Sequence, residues 1–280
     1  MPIHDQSYRH WEGKFKSHSL RWWVITLEGL KIVLRRKLFI LLILVPAIIQ
    51  FFVFGGIIYG VNTYGVFAQF ANMTPEFFYR YCFQQTFFIA LICVFGGSGL
   101  IANDLKNNAL QLYLSKPLTR FDYIAGKIAV IFIMLECITF VPGILLFFEH
   151  AVLSQDLTFL IEQYWIIGAI FLFSLVLTLP ATLMILAFSS MTKSYRYAAI
   201  MFMAIAFGTP VIGNLLHVIF RARWMTFIPY WKNLDNLGRE LFRISKDPTA
   251  WYWSSLIIFF ITAVCIWIMY RRIRGVDIVK

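Results

Sequence analysis

The chain has 280 residues, 60% of them hydrophobic and 14% charged, with a formal net charge of +11. Soluble domains carry about 25% charged residues, so the composition excludes an ordinary soluble domain and predicts a membrane protein. The basic excess is then read by its position along the chain, and no nucleic-acid partner is expected. The cysteines Cys82, Cys93, Cys137 and Cys265 fall in or beside apolar runs without C-x-x-C or zinc spacing. Neither a disulfide nor a metal site is expected, and each reads as a small buried hydrophobe.

In chain order, residues 1–37 form a basic N-terminal segment. Its part "SLRWWVITLEGLKIVLRRK" is amphipathic, with a stripe of Trp23, Leu27, Leu30 and Leu34 and with Arg21, Glu28, Lys31 and Arg35 to one side. Tryptophan at headgroup depth and basic residues near anionic lipid predict an interfacial helix, with Trp23, Glu28, Lys31 and Arg35 as its functional candidates. Six apolar runs follow, over 38–61, 81–102, 124–148, 164–189, 198–220 and 251–270. Each is long enough to cross the ~30 Å hydrocarbon core.

The second run contains "GGSG", Gly96 to Gly99, and small residues of this kind suit a tight helix crossing. It is followed by a polar segment, 103–123. There Leu105, Ala109 and Leu112 share a helical face, "SKP" (Ser115 to Pro117) stops the helix, and Thr119 with Asp122 forms a capping box for the third span. Glu136 stands near the middle of the third span, where a charge is costly, so it should face protein or water. A hydrogen bond to Gln50 of the first span is the expected structural role, and a proton relay the functional alternative. Pro46, Pro142, Pro180 and Pro210 interrupt the spans. Pro210 lies in "FGTPVIGN" with Asn214, which predicts a kinked or partly unwound helix facing a cavity or a partner.

The 221–251 loop carries a helical stripe of Tyr230, Leu234, Leu237 and Leu241, read as a helix on the outer membrane surface. Residues 271–280 form a basic tail. Lysine and arginine cluster before the first span, in 103–127, after the fourth span and in the tail, whereas 149–163 has acids and no Lys or Arg. The positive-inside rule then places both termini in the cytoplasm. The 221–251 loop is the exception: it falls outside with six Lys or Arg against three acids.

Two enzyme readings fail. Six spans with "GGSG" superficially resemble a rhomboid protease with Ser98 as nucleophile. However, His150 and His217 lie toward the other membrane face, on the order of 20 Å away along the helix axes. "AGK" at Ala125 to Lys127 lacks the spacing of a phosphate-binding loop, so no ATPase motif of its own is expected.

The run "GSGLIANDLKNNALQLYLSKPLTRFDYIAGK" resembles the hallmark region of permease subunits of type-2 ABC transporters, which ends in "P-x-x-R-x-x-Y-x-x-G-K". Here that ending is Pro117, Arg120, Tyr123, Gly126 and Lys127. Asp104 matches the acid that opens the segment, and the family often has Gly where Asn108 stands. The resemblance implies an all-α, six-span domain over 38–270 with an interfacial helix and a cytoplasmic coupling helix, Asp104 to Leu114. It implies ATPase coupling through Asp104, Lys106, Leu110, Tyr113, Lys116, Pro117, Arg120 and Lys127. It further implies two ABC ATPase subunits that bind ATP and Mg, a second permease copy as homodimer, and a bacterial inner or plasma membrane. Path candidates are Gln50, Glu136, Pro210 and Asn214. Aromatic-rich spans with few polar groups tilt the cargo toward a hydrophobic or amphipathic compound. The competing reading is a secondary transporter or channel that uses Glu136 without an ATPase.

Overall fold

The computed structural model describes residues 21–65, 74–109, 118–154, 157–245, 247 and 249–273. Among the described residues the first helix, α1, is Arg21–Leu34. Among the described residues six helices are long and apolar enough to cross a membrane: α2 (Val45–Tyr64), α3 (Pro75–Lys106), α4 (Arg120–Leu153), α5 (Phe159–Met191), α6 (Tyr195–Phe220) and, after a shorter helix α7 (Tyr230–Leu241), α8 (Ala250–Arg272). The chain is therefore an all-α multi-pass membrane protein. The end of the bundle that carries α1 and the α3–α4 connection is called the basic end below.

The core is α3, α4 and α5, whose apolar windows are 61%, 50% and 72% buried. By contrast α2, α6 and α8 are 17%, 17% and 22% buried and turn most of their surface outward. A helix apolar all round has no water-facing side, so this outward surface suits lipid or another protein.

The breaks in the spans have local causes. π-turns occupy Ile40–Leu44, Cys93–Gly97 and Ala204–Gly208. Pro46 and Pro210 sit in the first turn after a π-turn, and Pro142 in the first turn after the break at residues 137–139. Proline fits there because the first turn needs no N–H partner. Of these four prolines, Pro180 stands in a helix interior. The Pro210 region is thus a π-turn that restarts as α-helix, with no unwound stretch.

The "GGSG" run packs as expected. A Cβ on Gly97 would come within 3.0 Å of Ile185 of α5. Ser189 of α5 donates to the Ser98 carbonyl at 2.7 Å and accepts from the amides of Ile101 (3.1 Å) and Ala102 (2.9 Å). One buried hydroxyl thus serves the backbone groups that the π-turn displaces from the helix ladder.

The amphipathic stripe in the 221–251 loop does form a helix, α7, but it is not a surface layer. The Tyr230 amide donates to Thr209 Oγ1 at 3.0 Å, and a Cβ on Gly213 would lie 2.7 Å from the Pro229 ring. Thr209 precedes the end of α6 by about 16 Å, so α7 begins deep in the bundle and climbs back along α5 and α8. Tyr230, Asn233, Leu234, Asp235 and Gly238 are buried. Asn233 supports the entry by donating to the carbonyls of Phe227 (2.7 Å) and Pro229 (2.9 Å).

Candidate functional site

At the basic end, the motif residues converge on one junction. Lys127 Nζ lies 2.7 Å from Asp104 Oδ2, and the Tyr123 hydroxyl donates to the same oxygen at 2.8 Å. Lys127 also stands 5.4 Å from the centre of the Tyr123 ring. Lys127 and Tyr123 are buried. The last turn of α3 is thereby clamped to the first turns of α4 by an ion pair shielded from water, where breaking one partner leaves an uncompensated charge.

Gly126 faces the other way, onto α1. A Cβ there would lie 2.9 Å from both the Trp22 carbonyl oxygen and Ile25 Cβ, so only glycine permits this approach. Thr26 donates to the Gly126 carbonyl at 3.2 Å, and Gly29 admits Val130 at 2.5 Å from where its Cβ would be. The three spaced residues Tyr123, Gly126 and Lys127 therefore join three elements, because successive positions on α4 face α3 and α1 alternately.

α1 divides into three sectors roughly a third of a turn apart. Ile25, Thr26, Gly29 and Val33 are buried against the bundle. Trp23, Leu27 and Leu34 of the predicted stripe remain exposed, and Leu30 is partly buried. Glu28, Lys31 and Arg35 form the charged sector, with Lys31 2.7 Å from Glu28. That bond, with the charges of Lys31 and Arg35, holds the Glu28 carboxyl below its ordinary range. α1 thus shows one side to the bundle, one exposed apolar side and one exposed charged side. Arg36, just beyond, donates to the Phe95 carbonyl in the α3 π-turn at 3.0 Å.

The connector departs from expectation at its start. Asp104 and Lys106 belong to the last turn of α3 rather than to a separate helix. Asn107 ends that turn and Asn108 takes φ 54°, a left-handed conformation that Gly and Asn adopt most readily. The helical turn that holds Asp104 therefore ends before Asn108, and the remainder of the expected coupling helix, from residue 110 to 114, lies outside the described residues. Leu110, Tyr113, Lys116 and Pro117 lie outside the described residues, as do residues 1–20 and most of the tail. The capping box is present: Asp122 N–H donates to Thr119 Oγ1 at 3.1 Å and Thr119 N–H to Asp122 Oδ2 at 3.0 Å. Lys106 and Arg120 are exposed, and Phe121 is 78% exposed.

The path candidates do not gather. Gln50 donates to Gln84 Oε1 at 2.9 Å, joining α2 to α3. Glu136 instead meets Thr178 of α5 at 2.6 Å, so the expected Gln50–Glu136 bond is replaced by two separate ones. Pro210 and Asn214 line a cleft of about 370 Å³ with His217, Phe83, Trp231 and Lys232. Ser98 is buried, and the His150 ring lies 3.0 Å from Asn62 and edge-on to Phe159.

A second polar cluster escaped sequence reading. Asp235 of α7 accepts from Lys232 (2.6 Å), from Arg239 (2.8 Å) and from the Tyr79 hydroxyl of α3. Burial alone would raise its carboxyl, but these three donors hold it below the ordinary value. Arg239 also stands over the Tyr79 ring, and Arg243 over Trp165 at 4.5 Å. Half of the basic residues that made this loop anomalous are thus engaged with an acid or an aromatic face of the fold, while Lys232 and Arg243 stay exposed. The signal was available as D at i, K at i−3 and R at i+4, but that spacing is equally common on solvated helices.

No family model matches this chain, and no curated protein matches it.

Proposed function

We propose that this chain is the membrane subunit of an ATP-driven exporter of the type-2 ABC class, with both termini cytoplasmic and the path formed by two copies. Two separate ATPase subunits would bind ATP and Mg and press on the basic end. The observation that carries this reading is the junction of Asp104, Tyr123, Gly126 and Lys127. It ties α1, α3 and α4 into one unit while Lys106, Arg120 and Phe121 remain exposed beside the connector. Within the motif, the buried residues transmit and the exposed ones make contact. Force applied to α1 or to the connector reaches α3 and α4 together, because a buried ion pair and a glycine contact leave little slack.

The test is co-purification with a P-loop ATPase encoded beside this gene. The double variant Lys106→Glu plus Arg120→Glu changes only exposed side chains, so the fold should persist while ATPase association and stimulation fall by tenfold or more, about 1.4 kcal/mol. Undiminished association would remove the basic end as the docking face. Transport by the purified chain without any ATPase would favour the secondary-carrier reading instead.

A further inference from the structure

Glu136 lies about midway along α4, roughly 24 Å from its Arg120 end. The first half of α4 stops at this residue and the second half resumes at Phe140. Among the described residues no cation pairs with it. The groups facing it are the Thr178 and Ser174 hydroxyls of α5 and the Cys82 thiol of α3, with Cys137 next in the chain. Tyr81 of α3 donates to the nearby Ile138 carbonyl at 3.2 Å.

Counting protons restricts the state of this acid. Thr178 Oγ1 lies 2.6 Å from Glu136 Oε1 and 2.9 Å from the Ser174 carbonyl oxygen. The carbonyl can only accept, and the hydroxyl has one proton to give. With an ionised carboxylate the single Thr178 proton is divided between Glu136 and the Ser174 carbonyl, whereas a protonated Glu136 donates to Thr178 while Thr178 donates to Ser174, so the two contacts together favour the protonated carboxyl. An ionised carboxylate at this depth, met by hydroxyls and no cation, would lack compensation. The surroundings are polar but uncharged. Among the described residues, the Gln85 amide oxygen and the Thr182 hydroxyl, one turn from Thr178, have no partner, and the Gln85 nitrogen has at most a loose approach to the Tyr81 hydroxyl one turn away; both side chains are fully buried. Buried polar atoms of this kind are where ordered water sits, and water is the partner through which a partly buried acid such as Glu136 exchanges its proton.

We propose that Glu136, held by Thr178 and flanked by the Gln85 and Thr182 polar groups, is a proton-binding site within the membrane, loaded in the conformation described. Release breaks the Glu136 O–H bond, leaves the electron pair on the carboxylate and passes the proton to water. Nothing in this site depends on an ATPase, so it can be read on the isolated chain.

The experiment is infrared spectroscopy of the purified chain in lipid nanodiscs at neutral pH. A carbonyl-stretch band of a protonated carboxylic acid is expected. It should shift in D2O, disappear reversibly at alkaline pH and be lost in Glu136→Gln. Thr178→Val, which removes the hydrogen-bond acceptor, should shift the same band, and it decides the assignment if Glu136→Gln does not fold. Absence of the band in the wild type, or a band unmoved by the folded variants, overturns the proposal.

Discussion

Asp235 is 5% exposed and holds three donors from two helices. Its folded-state affinity for protons is lowered, so it stabilises the protein fully above the ordinary carboxyl value of 3.8 and ceases to do so as pH falls through the folded value. Asp235→Asn should therefore destabilise by about 1–3 kcal/mol at neutral pH, between the values for exposed and for fully buried pairs, because Lys232 and Arg239 keep contact with solvent. The difference in thermal midpoint between wild type and variant should shrink as pH is lowered below about 4. A gap constant down to strongly acid pH would show that the carboxylate is not the stabilising group. At this scale sequence reading was weakest. The Thr119–Asp122 capping box was legible because both partners are local. Glu136 finding Thr178 rather than Gln50 was not, because the rotation of each span about its axis depends on packing that no single helix encodes.

Elements were more legible, since a span needs only a long apolar run, and α1 and α7 both announced themselves by helical periodicity. What remained hidden was which face does the docking. In α1 the larger residues Trp23, Leu27, Leu30 and Leu34 dominate the pattern, yet the bundle is met by Ile25, Thr26, Gly29 and Val33. Small and β-branched residues allow a close helix approach, which hydropathy does not score. The same closeness predicts a strong response to bulk. Gly126→Leu should drive α1 off α4 while leaving the six spans inserted, seen as faster trypsin cleavage at Lys31 or Arg35 with unchanged behaviour on size exclusion. Unaltered cleavage would mean that α1 is held by something other than the Gly126 contact. α7 was misplaced for a related reason: its amphipathicity is real, but its polar side faces Tyr79 and Ser254 in the bundle as well as solvent.

For the whole molecule, the partition between a buried trio and three outward helices sets the possible assemblies. In α2 and α6, Phe52 is 67% exposed, Leu215 58% and Val218 73%. If two copies pair through these helices, Phe52→Cys, Leu215→Cys or Val218→Cys should give disulfide-linked dimers in native membranes under mild oxidation, since such bonds need Cα atoms within about 7 Å. Monomer at all three positions would leave lipid as the neighbour of both helices. The π-turn at Ala204–Gly208 adds a geometric consequence. Such a turn stores one surplus residue, and closing it to α-helical pitch rotates everything beyond by about 100° and advances it by about 1.5 Å. In α6 that single click would sweep Thr209 away from Tyr230 and Gly213 away from Pro229, and carry Pro210 and Asn214 out of the cleft wall. The register of one helix and the shape of that cleft are thus the same variable, like a screw thread and the gap it closes.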